Sequence, residues 1–352
     1  MIDLHLHIDG SLPLKTVRKL ARLANVPLPP EEEGLWDLLS VPADCASLND
    51  YLRCFDLPVE LLQSAGALSL AVQELVEELR AQGLLYAELR FAPSQHTQKG
   101  LTQRQVVEAA LSGRKAAEGE GFCQLILCCM RGGEEAANRE TVDVAASFLG
   151  QGVCALDLAG AEALYPAREH AALFAHARSL QVPFTLHAGE AAGPESVRQA
   201  LELGAQRIGH GVRAIEEESL LEELAQRQVP LELCPTSNLQ TKAVPDLAHF
   251  PLREYLRRGL RATVNTDNMT VSRTTLSQEY ALLGLTGEER RALLRNSVEA
   301  AFLPEEDKRS LWQQVEDMEG AMGDKLRDLA LLYAAYDGKL HAEGVDARSR
   351  LQ

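Results

Sequence analysis

Two histidines near the start of the chain have the spacing of a metal-binding pair. His5 and His7 alternate with apolar residues in the stretch IDLHLHI. Because the side chains of a β-strand alternate between its two faces, both imidazoles would project from the same face. Two imidazoles placed in this way can bind one cation with little rearrangement, although a solvated strand face is the other interpretation of the pair alone.

Two further residues complete a candidate metal site. His187 lies in FTLHAGE and Asp267 in VNTDNM, each at the end of a run of β-forming residues. Three imidazoles and one carboxylate suit Zn²⁺, which binds nitrogen and oxygen ligands and keeps one position for water. Because zinc lowers the pKa of such a water molecule to ~7, the set predicts a source of nucleophilic hydroxide at neutral pH.

Hydroxide chemistry also needs a proton donor and a group that controls the nucleophile. Glu190 lies three residues after His187, near enough to reach over the predicted metal site. His210, in RIGHG, ends another β-like run and is a candidate either to orient the water or to remove its proton. We therefore predict Glu190 and His210 as the catalytic residues.

Eight short β-like runs alternate with amphipathic, helix-like segments along the chain. The predicted strands are residues 2–8, 85–91, 124–130, 153–158, 183–187, 207–209, 230–234 and 262–267. Strand–helix alternation implies right-handed crossovers and a parallel sheet, and eight strands predict an α/β fold of the closed (β/α)8 type, the TIM barrel. An open, doubly wound sheet is the alternative, but the chain has neither a GxGxxG nor a P-loop motif to favour it.

Residues able to do chemistry lie at or near the carboxyl ends of these predicted strands. They are His5, His7, Arg90, Arg131, Asp157, His187, His210, Glu232 and Asp267. In a TIM barrel the carboxyl ends of all strands meet on one face, where the active site is built. We therefore expect residues that are far apart in sequence to share one pocket, a pattern typical of an enzyme.

The predicted barrel carries two additions. Residues 9–83 form a helical insertion after the first strand, either a lid with Tyr51, Phe55 and Leu57 facing the pocket or a helical pair packed on the barrel. Extra C-terminal helices are expected after residue 300. Since no compositional break marks a second domain, we predict one domain over residues 1–337 and a polar tail over residues 338–352.

Composition argues against several classes of function. The 352 residues include 51 acidic and 35 basic side chains, and the net charge of −16 opposes binding to nucleic acids or anionic membranes. No segment approaches the ~20 apolar residues of a membrane span, and no signal peptide opens the chain. Most of the seven cysteines lie in apolar runs, which indicates reduced thiols and predicts a cytoplasmic protein.

The motifs together resemble the adenosine deaminase family, a zinc-dependent branch of the amidohydrolase superfamily with a (β/α)8 barrel. The matching segments, in chain order, are DLHLHIDGS, YAELRFAP, ILCCMR, LDLAG, LHAGE, RIGHG, ELCPTSN, NTDN and FLPEEDKR. Each motif alone is weak, but all of them in this order make a highly specific match. The resemblance implies hydrolytic deamination of adenosine and 2′-deoxyadenosine, which releases inosine or 2′-deoxyinosine and ammonia.

The resemblance also implies a role for each matching residue. The zinc ligands, for one ion per chain, are matched by His5, His7, His187 and Asp267. Glu190 matches the acid that protonates purine N1, and His210 matches the residue that orients the attacking water. Asp9 matches an acid that hydrogen-bonds the ribose 5′-hydroxyl, and Gly160 matches a backbone N–H donor to purine N3. The implied substrate contacts are His7, Asp9, Gly160 and Asn268, under an apolar gate formed by YLRCFDLP.

The pair Asp267-Asn268 departs from the two consecutive acids that many family members have. Asp267 keeps the position of the zinc ligand, whereas Asn268 stands where the second acid faces purine N7. N7 only accepts hydrogen bonds, so an acid must be protonated to donate to it, while an amide donates at any pH. We expect Asn268 to preserve the contact to N7.

Three alternatives differ in substrate or in class. The first is a deaminase of free adenine, an adenosine 5′-phosphate or aminodeoxyfutalosine; Asp9 opposes a phosphate, and Lys15 and Arg18 are the only nearby candidates to bind one. The second is a zinc hydrolase of a cyclic amide or ester, which would not need the Gly160 and Asn268 pair. The third is a catalytically inactive nucleoside-binding protein, which the intact set of metal and acid residues disfavours.

Overall fold

Eight parallel strands form the centre of the fold, in a computed structural model that describes residues 1–42, 44–117 and 121–320. The strands are β1 (Ile2–His7), β2 (Tyr86–Phe91), β3 (Cys123–Met130), β4 (Val153–Ala159), β5 (Thr185–Ala188), β6 (Arg207–His210), β7 (Leu231–Leu233) and β8 (Ala262–Val264). Consecutive strands pair in parallel within two half-sheets, β1–β4 and β5–β8.

Two seams of backbone hydrogen bonds close the half-sheets into a barrel. At the first seam, His7 N donates to Asp267 O at 2.7 Å and Asp267 N donates to His5 O at 2.8 Å, so the segment after β8 pairs with β1. At the second, Leu156 N in β4 donates to Pro183 O at 2.9 Å, just before β5. The predicted (β/α)8 barrel is confirmed, and the open sheet is excluded because the outer strands of the two half-sheets are joined.

Helices connect the strands, as parallel pairing requires. The insertion after β1 contains α1 (Leu14–Ala24), α2 (Glu32–Leu39), α3 (Leu48–Leu52), α4 (Asp56–Leu61) and α5 (Ala65–Ala81). The later helices are α6 (Gln103–Ala116), α7 (Glu135–Phe148), α8 (Ala171–Ser179), α9 (Pro194–Leu203), α10 (Glu218–Arg227), α11 (Pro235–Gln240), α12 (Leu252–Arg257), α13 (Leu276–Leu282) and α14 (Gly287–Ala300).

Local sequence explains where several of these elements begin and end. In α6 and α14 the N-cap threonines, Thr102 and Thr286, each form a capping box with the residue three positions later. Helix α9 begins at Pro194, whose fixed φ suits a first helical position. The residue after its last turn, Gly204, has a left-handed φ of 92° and caps the helix. Strands β2 and β4 are buried along their whole length, as expected for strands covered on both faces.

The last strand is shorter than predicted. Residues 262–267 are predicted as one strand, but β8 ends at Val264. Thr266 N instead donates to Asp3 Oδ2 at 3.2 Å, and Asp267 has a left-handed φ of 61°. The segment after β8 therefore turns out of the strand direction, which places the Asp267 side chain in the cavity at this end of the barrel.

The chain divides into two units, Met1–Pro304 and Glu305–Gln352. In the second unit, residues 305–320 are described and are helical. The predicted tail over residues 338–352 and its boundary at residue 337 lie outside the described residues. In the part of the chain that the structure describes, every helix is too short or too polar to cross a lipid bilayer.

Candidate active site

One cavity lies at the carboxyl ends of the strands and has a volume of about 440 Å³. Its lining includes most of the residues predicted for the site, namely His7, Asp9, Gly160, His187, Glu190, His210, Asp267 and Asn268. The remaining one, His5, is fully buried, and its ring centroid lies 4.6 Å from that of His187 and 4.8 Å from that of His210. The barrel thus brings the predicted residues together from five different strands or strand ends.

Four of these side chains direct their ligand atoms at one point. The group is His5, His7, His187 and Asp267, with ligand atoms within 4.8 Å of one another. Nε2 of His187 lies 3.1 Å from Nε2 of His5 and 3.3 Å from Nε2 of His7. Oδ1 of Asp267 lies 3.5 Å from Nε2 of both His5 and His7. These separations allow the four atoms to lie ~2.0–2.1 Å from one ion placed between them, so the group fits Zn²⁺.

The protonation of two ligand imidazoles supports the same conclusion. His5 Nδ1 lies 2.7 Å from Glu232 Oε2, and His187 Nδ1 lies 2.9 Å from Asp157 Oδ2. An ionised carboxylate only accepts hydrogen bonds, so each Nδ1 carries the proton and each Nε2 presents a lone pair. Two lone pairs that face each other at 3.1 Å repel, and a cation bound by both removes the repulsion. The donor set is therefore suited to binding a metal ion.

Arg90 holds the two supporting carboxylates in place. Its Nη1 donates to Asp157 Oδ2 at 2.9 Å, and its Nη2 donates to Glu232 Oε2 at 2.9 Å. All three side chains are fully buried. Although burial alone would raise it, Arg90 and Arg207 hold the pKa of Glu232 well below its usual range. Glu232 therefore stays ionised and keeps accepting from His5.

Asp267 is oriented by its backbone and by one hydroxyl group. Its φ of 61° lies in the left-handed region, which non-glycine residues adopt at a cost of about 1–3 kcal/mol. Ser237 Oγ donates to Asp267 Oδ2 at 2.6 Å. The other oxygen, Oδ1, is the one directed at His5 and His7, so a single carboxylate oxygen is left for a metal ion.

His210 has the opposite proton arrangement from the ligand imidazoles. Cys234 N donates to Asn238 Oδ1 at 3.2 Å, so the amide nitrogen of Asn238 is the atom that donates to His210 Nδ1, at 3.0 Å. Because Nδ1 accepts, the neutral ring carries its proton on Nε2. Burial, with the neighbouring His5, holds the pKa of His210 well below its usual range. His210 thus presents an N–H group, 3.5 Å from Glu190 Oε2.

Glu190 is a buried carboxyl group at the cavity wall. Its exposed fraction is 3%. Thr241 Oγ1 donates to Glu190 Oε1 at 3.2 Å, and Ser237 O in α11, at 3.0 Å, is the alternative acceptor for the same hydroxyl hydrogen. Burial, followed by the negative charges of Asp267 and Glu162, raises the pKa of Glu190 well above its usual range. The site therefore favours the protonated acid, as proton donation requires.

Asp9, in the turn after β1, and Asn268, in the turn after β8, both line the cavity. A Cβ atom on Gly10 would lie only 1.8 Å from Asn268 Oδ1, so only glycine fits there, and the amide nitrogen is directed away from it. Asp9 Oδ1 is buried without a hydrogen-bond partner among the described residues, and burial raises the pKa of Asp9 to about 6. Asp9 therefore offers an acceptor to a ligand that donates a hydroxyl hydrogen.

Gly160 forms part of the cavity wall directly after β4. Its φ of 103° lies where side-chain-bearing residues are strained, so glycine is required by the backbone alone. The absence of a side chain also leaves the peptide group open to close approach by a planar ring.

The insertion covers the cavity, which supports the lid interpretation, while its other helices pack on the barrel. Leu48, Tyr51, Leu52 and Phe55 line the cavity from α3 and the turn after it. Tyr51 Oη and Ser272 Oγ are 2.7 Å apart and tie the lid to the segment after β8. Leu57, in contrast to the prediction, packs against the hydrophobic core, because it shares one face of α4 with the buried Leu61.

Sequence reasoning missed four polar residues that support the site. They are Glu162, Ser237, Asn238 and Thr241. Ser237 and Asn238 lie in ELCPTSN, directly after a predicted strand, where small polar residues are a recognisable signal. Glu162 and Thr241 carry no such signal, because their importance depends on which backbone or side-chain atoms they meet in three dimensions.

Comparison with known proteins gives a family match over most of the chain. The family model described as adenosine deaminase matches residues 1–318. The chain is similar to an adenosine deaminase from Haemophilus ducreyi, with 51% identity over 328 residues that cover 90% of this chain and 95% of that protein.

Solved structures show the same similarity in three dimensions. An adenine deaminase from Arthrobacter aurescens has a TM-score of 0.82 and 26% identity, covering 91% of this chain and 98% of its own. The N6-methyl-AMP deaminase from Arabidopsis thaliana has a TM-score of 0.77 and 26% identity, covering 90% of this chain and 96% of its own.

Proposed function

This chain belongs to the adenosine deaminase family, and we propose that it hydrolyses adenosine and 2′-deoxyadenosine to inosine or 2′-deoxyinosine and ammonia. The observation that carries the proposal is a single cavity in which four closely spaced ligand atoms adjoin the buried acid Glu190. Hydrolytic removal of an aromatic amino group needs both parts, a nucleophile and a proton donor to the ring.

The residues that would hold Zn²⁺ are His5, His7, His187 and Asp267. Zn²⁺ bound there would supply a hydroxide nucleophile at neutral pH, because the ion lowers the pKa of water to ~7. Glu232 and Asp157 keep two of the imidazoles in the Nε2-lone-pair tautomer that metal binding requires.

Glu190 acts as the general acid. Addition of an oxygen nucleophile to purine C6 moves an electron pair onto N1, and a proton delivered there stabilises the adduct. Burial and the negative charges of Asp267 and Glu162 raise the pKa of Glu190 and so favour the protonated carboxyl group that this step needs. Thr241 holds one carboxyl oxygen and leaves the other to face the substrate.

His210 orients the attacking water rather than deprotonating it. Its Nε2 carries a hydrogen because Nδ1 is occupied by the donor Asn238. An N–H group can donate to the lone pair of the water oxygen, whereas a base needs a free lone pair of its own. Of the two roles predicted for His210, the hydrogen-bond pattern therefore supports orientation.

Three residues would read the purine and the ribose. The open peptide group of Gly160 offers an N–H group to N3, and the amide nitrogen of Asn268 offers a donor to N7. The unpartnered oxygen of Asp9 accepts from the ribose 5′-hydroxyl. Leu48, Leu52 and Phe55 add apolar surface that excludes water from the reacting atoms.

Charge around the cavity favours a nucleoside over a nucleotide. Among the described residues no Lys or Arg lines it, whereas Asp9, Asp56 and Glu60 do. Lys15 pairs with Glu78, and Arg18 donates to backbone carbonyls, so the two cations nearest in sequence are engaged elsewhere. A 5′-phosphate would meet carboxylates with no counter-charge. The Arabidopsis relative that acts on N6-methyl-AMP therefore does not decide the substrate here.

The test is an absorbance assay with purified, zinc-loaded protein. Adenosine and 2′-deoxyadenosine should be converted rapidly, with the spectral change of inosine formation, and excess chelator should abolish the reaction. Adenine and AMP, run in parallel, should react far more slowly, because one lacks the ribose that Asp9 holds and the other brings a phosphate. Faster turnover of adenine or AMP than of adenosine would overturn the substrate assignment.

A further inference from the structure

The carboxylate of Glu162 accepts hydrogen bonds from four consecutive backbone N–H groups. The donors are residues 189–192, which follow β5, at 2.7, 3.1, 2.6 and 3.0 Å in chain order. Ser196 Oγ, in the first turn of α9, donates to the same carboxylate at 2.5 Å. The exposed fraction of Glu162 is 2%, so water cannot readily replace it. We refer to this arrangement of Glu162 with residues 189–192 as the carboxylate clamp.

The segment that the clamp holds has little other means of satisfying its backbone. Residues 189–192 lie between β5 and α9, where neither sheet nor helix bonds are available to their N–H groups. Buried N–H groups without acceptors are costly, and an ionised carboxylate is among the strongest acceptors that a protein can supply. Gly189, with a left-handed φ of 73°, lets the chain curl so that successive N–H groups point at one acceptor.

Glu190, the proposed proton donor, is one of the residues whose backbone is held. We propose that Glu162 is a positioning residue for the deamination, and that the clamp sets where the Glu190 carboxyl group meets purine N1. This inference rests on the proposed function. Glu162 does not line the cavity and touches no substrate, so it acts only through the turn that carries Glu190.

Glu162 itself lies in the loop after β4. It lies two residues after Gly160, the proposed donor to purine N3. N1 and N3 of a purine are separated by a single carbon, so the two contacts lie on the same edge of the ring. The clamp therefore joins the loop after β4 to the loop after β5, and it holds both contacts to that edge at a fixed separation. Its negative charge also contributes to the raised pKa of Glu190.

The decisive variant is Glu162→Gln, which keeps the shape of the side chain but has one acceptor oxygen instead of two. In either orientation its NH₂ group must face at least one of the backbone donors, so the turn has to shift. A small displacement of a catalytic group lowers turnover more than binding, and we expect kcat to fall about 10–100-fold. The KM for adenosine, the inhibition constant of the product inosine and the zinc content should change by no more than about threefold.

The matched control is Glu74→Gln. Glu74 is a buried carboxylate in α5 that accepts from Thr16 and Lys19, away from the cavity. The Glu74→Gln variant also removes one buried negative charge, although Glu74 accepts two hydrogen bonds where Glu162 accepts five. We expect its kcat to stay at the wild-type value. A fall in kcat of equal size in both variants would mean that general loss of stability is responsible, which would overturn the positioning role.

Amide hydrogen exchange gives a readout that does not depend on activity or on any variant. In the wild-type protein the amides of residues 189–192 should exchange as slowly as those of the neighbouring strands, although they lie in a loop. Exchange as fast as in an exposed loop would overturn the clamp. In Glu162→Gln these amides should exchange faster, while those of β1–β4 stay unchanged.

Two further outcomes keep the inference separate from the proposed function. If Glu162→Gln does not fold, Ser196→Ala removes only the hydroxyl donor, and it should lower kcat about two- to fivefold at unchanged KM; unchanged kcat would count against the clamp. If the wild-type protein is inert towards adenosine, the proposed function fails, while slow exchange of residues 189–192 still supports the clamp as a structural device.

Discussion

The position of a single hydrogen separates the two kinds of imidazole in this site. In His5 and His187 the hydrogen lies on Nδ1, because each faces a carboxylate, so Nε2 is free to bind a metal ion. In His210 it lies on Nε2, because the Nδ1 partner is the donor group of Asn238. The hydrogen-bond partner at Nδ1 therefore determines which nitrogen carries the hydrogen in each of these three histidines.

Glu190→Gln should retain zinc and lose several orders of magnitude in kcat. The amide has no acidic proton to deliver to purine N1, while its size and burial are nearly the same. Metal analysis and steady-state assays of the purified variant check this. The assignment fails if turnover remains near the wild-type value, or if the zinc content falls with the activity.

Asn268→Ala should lower kcat/KM for adenosine by an amount equivalent to about 1–3 kcal/mol, because purine N7 loses its donor in a buried site. Asn268→Asp offers a contrast, since a carboxyl group donates only when protonated. The activity of that variant should therefore decrease as the pH rises, relative to the wild-type protein at each pH. An unchanged kcat/KM in Asn268→Ala would mean that this side chain does not contact the substrate.

At the level of elements, the strands were predictable and the turns after them were not. Apolar β-like runs with polar ends predict the barrel and the residues on its active face, because a strand's side chains follow a period of two. The left-handed backbone at His210 and Asp267 has no such signature, since φ depends on contacts that form only in the closed barrel. The shortening of β8 to Val264 follows from that turn.

The sequence also could not predict that Glu162 accepts hydrogen bonds from the backbone N–H groups of residues 189–192. Glu162 is one acidic residue among 51 acidic side chains, and its sequence neighbourhood does not distinguish it from a surface carboxylate. Its role depends on a loop that follows a different strand. Ser237 and Asn238 were missed as well, although they lie shortly after β7, where chemistry is expected.

Helix α13 carries a buried carboxyl group with a testable pH dependence. Glu279 accepts from Thr236 N at 3.0 Å and from Thr274 Oγ1, and burial raises its pKa from 4.5 to about 7. Because the pKa is higher in the folded protein than in the unfolded chain, protonation of Glu279 stabilises the folded state. This contribution to the free energy of unfolding is complete below the unfolded-state pKa of 4.5 and is lost as the pH rises through about 7.

Glu279→Gln should therefore gain stability relative to the wild-type protein as the pH rises. The difference in unfolding free energy should shift by up to about 3 kcal/mol in favour of the variant between about pH 5 and pH 8. Urea unfolding at both pH values checks this, with the exposed Glu222→Gln as a control for the loss of one negative charge. A difference that does not vary with pH would contradict the raised pKa.

At the level of the whole barrel, the predicted metal site bridges the two half-sheets. His5 and His7 come from the half-sheet β1–β4, whereas His187 belongs to the half-sheet β5–β8 and Asp267 follows β8. The seam hydrogen bonds between Asp267 and β1 lie at the same place. A metal ion held by all four would cross-link the halves where they are joined by few backbone bonds.

Removal of the metal should accordingly lower the thermal midpoint of unfolding. Zinc that binds only the folded barrel stabilises it by about 1.4 kcal/mol for each tenfold excess over its dissociation constant. Calorimetry of chelator-treated protein, titrated with Zn²⁺, should show a midpoint that rises with the zinc concentration. Mg²⁺, which prefers oxygen ligands, should not restore it. A midpoint insensitive to zinc would contradict the cross-link.

The closing seam also has a consequence for the order of synthesis. His7 and Asp267, which pair through the backbone and share the candidate site, are separated by 260 positions in the chain. At ~5–20 residues per second, a ribosome needs roughly 13–50 s to add that length, and throughout it the imidazoles of His5 and His7 lack the carboxylate of Asp267. The complete set of four predicted ligands therefore exists only after Asp267 has been synthesised.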